Sequence, residues 1–233
     1  MQVRAALAFD DVKKNKKKLF YSPYHWLFLP YYIYKFLSKR WWSAEEIIYL
    51  TLTNCDDIVK QSREIAISNV FLEIDNYSDF ENIAKKREIE DNIEGYCQVV
   101  YKRFKENEIA FIYKIEEEVS AYLFVSKTKA NLTQMKYSIP LNKPIFAIYD
   151  VYTFNKYRKK GFYNQLVRFV CENLSSKGYS KFYLWVMNHN LLSIKAHSKM
   201  GINKVVSIFK LKYRLGIRIF KRIEFNALLE EVS

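Results

Sequence analysis

Glycine and the usual metal-binding residues are scarce, and each shortage excludes a class of chemistry. The 233 residues include five glycines, at 95, 161, 178, 201 and 216, and no two lie within five positions of one another. Walker-type phosphate loops, GxGxxG dinucleotide turns and GxSxG nucleophile elbows all need closer glycines, so none is present. His25, His189 and His197 contain no i, i+4 pair, and Cys55, Cys97 and Cys171 contain no CxxC. No metal site is therefore expected. Three scattered cysteines without a signal peptide fit a reducing, cytoplasmic compartment, where buried cysteine behaves as a small hydrophobe. No segment repeats, which excludes a solenoid.

Apolar and aromatic residues are plentiful: 50% of the chain is hydrophobic and 17% is Phe, Trp or Tyr. That suits one buried core with an appendage rather than a disordered chain. The net charge of +13 is concentrated in two stretches. Residues 1–44 carry nine Lys or Arg against Asp10 and Asp11, and residues 203–223 carry seven basic residues and no acid. A basic surface favours phosphates, anionic lipid, nucleic acid or an acidic carrier protein without choosing among them. Residues 19–42 (LFYSPYHWLFLPYYIYKFLSKRWW) are interrupted by Pro23 and Pro30 and make a poor membrane span. Tyr and Trp flanked by cations do suit a bilayer interface, so peripheral membrane contact is one expectation for this arm. The other is that its aromatic residues pack on the domain or on a second copy, giving a homodimer. No nucleic-acid motif accompanies the lysines.

The expected domain spans residues 45–223, followed by a tail from 224 to 233. Ile47–Thr53 reads as a strand, with Asn54 and Asp57 opening a helix. Ser78 and Glu81 form a capping-box pattern before a helical stretch that is interrupted at Gly95 and ends near Lys105. Ile109–Ile115 and Val119–Ser126 read as an antiparallel pair around an acidic turn. Pro140 and Pro144 mark a loop before a strand at Ile145–Phe154. Phe162, Leu166, Phe169, Val170 and Leu174 have helical spacing that stops at Gly178. Lys181–Met187 is a strand, Leu191–Met200 a short helix, and Ile202–Tyr213 a strand with Val205, Phe209, Leu211 and Tyr213 on one face and Lys210, Lys212 and Arg214 on the other. A last strand is expected at Leu215–Ile223.

Asp150 is the one charged residue in the apolar run IFAIYDVYTF. Burial of an ionised carboxylate is costly and would raise its pKa toward the range of a general base; a salt-bridged or exposed strand aspartate is the alternative. After it, Arg158–Tyr163 (RKKGFY) joins the strand to a helix, whose first amide groups would face an anion. Gly161 permits close backbone approach, while Arg158, Lys159 and Lys160 add charge suited to a pyrophosphate.

This stretch resembles the GNAT superfamily of acyl-CoA-dependent N-acyltransferases. Their Arg/Gln-x-x-Gly-x-Gly/Ala signature is matched by Arg158, Lys159, Lys160, Gly161, Phe162 and Tyr163, with Tyr163 in place of the usual small residue. A downstream pattern is matched by Asn190, Ser193, His197 and Gly201. The resemblance covers about residues 145–205 and implies a mixed α/β (α+β) fold, with a mostly antiparallel sheet flanked by helices. It also implies acetyl-CoA or another acyl-CoA as co-substrate and a small-molecule amine as acceptor, an amino sugar or sugar nucleotide in the leading reading. An acyl carrier protein as donor, a protein amine as acceptor, and a non-catalytic binding module remain the other readings. In the resemblance, Asp150 is the base, Val151 and Thr153 offer main-chain groups to the pantetheine, and Asn190 positions the cofactor. His197, with an ordinary pKa near 6.5, stands where relatives place a tyrosine that protonates the leaving thiolate.

Overall fold

The computed structural model describes residues 44–61, 69–214 and 217–228. The basic, aromatic arm expected to meet membrane or a second copy lies outside these residues. The chain divides into two units, residues 1–45 with 212–219, and residues 46–211 with 220–233. The second unit carries the described helices and most of the described sheet.

The strands are β1 (Ala44–Asn54), β2 (Asn69–Ile74), β3 (Ile109–Ile115), β4 (Glu118–Ser126), β5 (Lys129–Leu132), β6 (Tyr137–Pro140), β7 (Ile145–Thr153), β8 (Lys181–Met187), β9 (Lys204–Arg214) and β10 (Ile217–Leu228). The helices are α1 (Cys55–Gln61), α2 (Tyr77–Asp91), α3 (Tyr96–Lys105), α4 (Phe162–Ser176) and α5 (Leu191–Lys199). Eight strands form one sheet in the order β10-β9-β1-β8-β7-β4-β3-β2, and β5 with β6 makes a separate hairpin. The pairs β1–β8, β2–β3, β3–β4 and β4–β7 are antiparallel, while β7–β8 is parallel. This is the mixed, mostly antiparallel α/β arrangement that the sequence implied.

Helices cover both faces. On one, Leu166, Val167, Val170, Cys171 and Leu174 of α4 are buried with Cys55 and Ile58 of α1 against Phe111, Leu123, Phe146, Ile148 and Phe182. Their i, i+3, i+4 spacing explains why α4 forms on the sheet rather than in isolation. It stops because Gly178 adopts φ 85°, a left-handed C-terminal turn that closes with Tyr179 N–H on the Leu174 carbonyl at 3.0 Å. On the other face, Phe80 and Ile83 of α2 and Tyr96, Val100 and Phe104 of α3 pack on Ile112, Tyr122 and Phe124. The β5–β6 hairpin places Leu132 and Met135 against Ile48, Leu50, Phe209 and Leu211.

Several local expectations are corrected. The helix α2 is capped by Asn76, which accepts from Asp79 N–H at 3.0 Å, and Ser78 donates to that cap at 2.7 Å instead of forming it. Strand β2 and the β5–β6 hairpin have no counterpart in the sequence reading. Val205 does not share a face with Phe209 and Leu211: it packs with Ile208 in a separate cluster, so the alternation of β9 slips between them. The last strand runs on to Leu228, past the expected boundary at 223.

Candidate active site

The site is built around a defect in β7. Tyr152 pairs with Tyr122 and Tyr149 with Phe124, which leaves Asp150 and Val151 together opposite the single residue Leu123. Such a bulge re-aims side chains and interrupts pairing. Asp150 takes φ 46°, a left-handed conformation that a short polar side chain tolerates better than most. Val151 packs toward the α4 cluster. Asp150 reaches α3 on the opposite face.

There the Asp150 Oδ2 accepts from the Tyr96 hydroxyl at 2.6 Å and from the Arg103 guanidinium. Tyr96 and Tyr122 share a further hydrogen bond of 2.7 Å between their hydroxyls. Burial, followed by the charge of Asp150, pushes both phenols well above the ordinary tyrosine range, so both stay protonated and Tyr96 is the donor to the carboxylate. Among the described residues no donor reaches Oδ1. The isolated buried carboxylate is thus replaced by the salt-bridged alternative, with a partner 47 residues away. Arg103 lies over the rings of Phe124 and Tyr149, 4.8 and 5.1 Å from their centroids. Close by is Glu108, 3% exposed and held up at about 7 by burial.

Beyond the bulge, β7 loses its other neighbour. It pairs with β8 only from Ile145 to Ala147 against Lys181 to Tyr183. Past that point Tyr149 and Trp185 stack, with ring centroids 5.5 Å apart and planes inclined by 14°.

The loop after β7 leads into the free end of α4. Gly161 is its N-cap at φ 81°, without a side-chain cap, and a Cβ there would meet nothing within 4 Å. The first helical bond runs from Gln165 N–H to the Gly161 carbonyl at 3.2 Å. The amides of Phe162, Tyr163 and Asn164 therefore have no carbonyl to bond inside the helix. Lys159 and Lys160 are exposed beside them. This end has the donors, charge and open approach that a pyrophosphate requires, so the residues fit the diphosphate part of an acyl-CoA. Arg158 instead folds back: its Nε donates to the Thr153 carbonyl at 3.0 Å and its guanidinium to the Tyr152 hydroxyl at 3.3 Å. The one Tyr152 hydroxyl proton is shared in turn between Glu90 at 2.8 Å and Asp91 at 3.0 Å, and Asn155 N–H donates to Glu90 at 2.7 Å, so the end of α2 anchors this loop.

Tyr163 and His197 meet between α4 and α5, with ring centroids 6.0 Å apart. The Tyr163 hydroxyl and His197 Nδ1 are buried without hydrogen-bond partners among the described residues. Burial lowers His197 to about 4, out of the ordinary range, and leaves the ring neutral at pH 7. Asn190 and Ser193 are bonded to each other: the Asn190 side chain accepts from Ser193 N–H at 3.2 Å and caps α5. The structure places Asp150 and Val151 at the bulge, residues 158–163 at the end of α4, and His197 of α5 against Tyr163. It adds Tyr96, Arg103, Glu108, Tyr149 and Trp185, which sequence reasoning missed. The one available signal was spacing, since Tyr96 and Arg103 are seven residues apart on one helical face.

Among the described residues no group of three or more His, Cys, Asp or Glu could hold a metal ion. Nor is any described helix long and apolar enough to cross a membrane.

A search of curated proteins finds no match. Among solved structures, a conserved protein of unknown function from Staphylococcus epidermidis is similar with a TM-score of 0.50 at 7% identity, over 82% of this chain and 63% of that one. At that identity the likeness is one of fold. Less similar are the aminoglycoside N-acetyltransferase AAC(6')-Iy in complex with a bisubstrate analogue (TM-score 0.46, 13% identity, 59% of this chain and 92% of that one) and an aminoglycoside acetyltransferase from an uncultured soil metagenomic sample in complex with sisomicin (TM-score 0.43, 12% identity, 58% and 90%). A family model described as the acetyltransferase (GNAT) family matches residues 71–202. That match takes in more than half of the chain, including the bulged strand, the glycine loop and α5: the chain belongs to the GNAT acetyltransferase family.

Proposed function

We propose that this family member transfers an acetyl group from acetyl-CoA directly to the primary amine of a small molecule, an amino sugar or sugar nucleotide being the first class to try. The observation that carries this reading is the placement of Asp150. It stands on a bulge just past the point where β7 leaves β8, and among the described residues no donor reaches its Oδ1.

In this reading the amides of Phe162, Tyr163 and Asn164, with Lys159 and Lys160, hold the pyrophosphate. Main-chain groups of Val151 and Thr153 line the diverging edge of β7, and an amide there polarises the thioester carbonyl as negative charge develops on it. The free Oδ1 of Asp150 orients the acceptor and removes a proton as the C–N bond forms and the C–S bond breaks. The departing sulfur takes its proton from water, because His197, held neutral by burial, carries no imidazolium proton to give. The flat Tyr149–Trp185 pair suits one face of a sugar ring.

The test is release of the CoA thiol from acetyl-CoA across a panel of amino sugars, polyamines and peptide N-termini. Asp150→Asn is expected to reduce turnover by about 10²- to 10⁴-fold while leaving acetyl-CoA affinity unchanged. Equal turnover in the variant and the wild type would remove Asp150 as the base.

A further inference from the structure

Glu108 lies just before β3 with 3% of its surface exposed, and its Oε2 is buried without a hydrogen-bond partner among the described residues. Leaving such an oxygen unpaired costs about 1–3 kcal/mol, and more when it is ionised. Its retention therefore calls for a use.

Its neighbour supplies one. The Glu108 N–H donates to the Arg103 carbonyl at 3.1 Å, so the two residues are fixed side by side. The Arg103 guanidinium lies over two aromatic rings, a setting in which a planar cation can shift while keeping its stacking contacts. Arg103 pairs with Asp150. The other groups facing Glu108 are Glu106 after α3 and Lys129 of β5, and these pair with each other at 2.7 Å. That leaves Arg103 as the cation and Asp150 as the competing carboxylate.

We propose that Glu108 is a positioning residue that takes over Arg103 when a cationic acceptor occupies Asp150. The proposal rests on the reading of Asp150 as the acceptor's partner. Two cations cannot share one carboxylate without mutual repulsion, and a second carboxylate beside Arg103 removes the conflict. On receiving Arg103, Glu108 ionises and releases its proton to solvent, so the added positive charge of the acceptor is balanced. The free Oε2 is the oxygen that Arg103 would then meet. The held-up titration of Glu108, near neutrality, fits a group that is poised between its protonated and ionised forms while Arg103 is engaged elsewhere.

Carboxyl carbon NMR on the full chain tests this without an acceptor. Asp150→Asn removes the charge that holds Arg103, as a bound ammonium would. The Glu108 midpoint, about 7 in the wild type, is expected to fall by at least about one unit in that variant and to recover when Arg103→Gln is added. An unchanged midpoint, or an equal fall with and without Arg103, would overturn the proposal. Glu108→Gln gives a second readout: the acceptor KM should lose its pH dependence near neutrality while acetyl-CoA affinity holds. A retained pH dependence would also count against the exchange. Failure to acetylate any amine would remove the functional reading, and the NMR result would still decide the behaviour of Arg103 and Glu108.

Discussion

On the α4 side of β7 an anion would be met by main-chain amides at a helix end opened by Gly161. On the α3 side the charge of Asp150 is held by side chains, with Tyr96 and Arg103 converging on one oxygen. The first arrangement depends on backbone conformation, so few substitutions and little change of pH should disturb it. The second depends on the ionisation and packing of particular residues brought together from two elements. It should be sensitive to both.

The largest expected effect is therefore at Arg103. Removing one partner of a buried ion pair costs about 3–5 kcal/mol, and since each partner here keeps about a fifth of its side chain exposed, Arg103→Ala should fall at the low end. Urea unfolding measures this. A loss as small as that of Lys159→Ala, expected to be negligible because that side chain is exposed, would erase the distinction between the two sides.

Next in size are two opposed pH effects. His197 is lowered to about 4 by burial, so between there and its unfolded value of 6.5 the unfolded chain binds more protons. Its contribution to stability is complete above the unfolded value and is lost as pH falls through the folded one. Glu108 is raised to about 7 from 4.5, so in that window the native state binds more protons and stability declines as pH rises. Each slope approaches about 1.4 kcal/mol per pH unit where it is steepest. The two windows overlap, so the wild-type profile should be nearly flat between them. Glu108→Gln should expose the rise and His197→Gln the decline, read as unfolding free energy against pH. Parallel profiles in all three proteins would contradict the assigned burial of both groups.

A smaller effect is expected at Gly161→Ala. Nothing crowds the position, so the loss is that of a left-handed L-residue, about 1 kcal/mol. Gly161→Asn should lose less, since asparagine tolerates that conformation. Equal losses would mean that the turn is not held at positive φ.

The α4 side was readable in the sequence because its information is local. Glycine at the turn, cations before it and apolar spacing after it all lie within residues 158–178. The β3–β4 hairpin was readable for the same reason. Strand β2 was missed because it is an edge: Val70 and Leu72 on one of its faces are exposed, so its pattern lacks a buried stripe. The β5–β6 hairpin has strands of four residues, too short for periodicity to show. Asp150 was found, but its partner was not, because Arg103 reads locally as one more cation in the last turn of a helix. The bulge itself appears only in the pairing of β7 with β4, where two residues oppose one.

The central claim is that the α4 end is an acyl-CoA site independent of the Asp150 network. Thermal unfolding with acetyl-CoA, in the wild type and in Asp150→Asn, tests it most directly. At 100 times the dissociation constant both proteins should be stabilised by about 2.7 kcal/mol, with equal affinities. No stabilisation of the wild type would contradict the site, and stabilisation of the wild type alone would contradict its independence from Asp150.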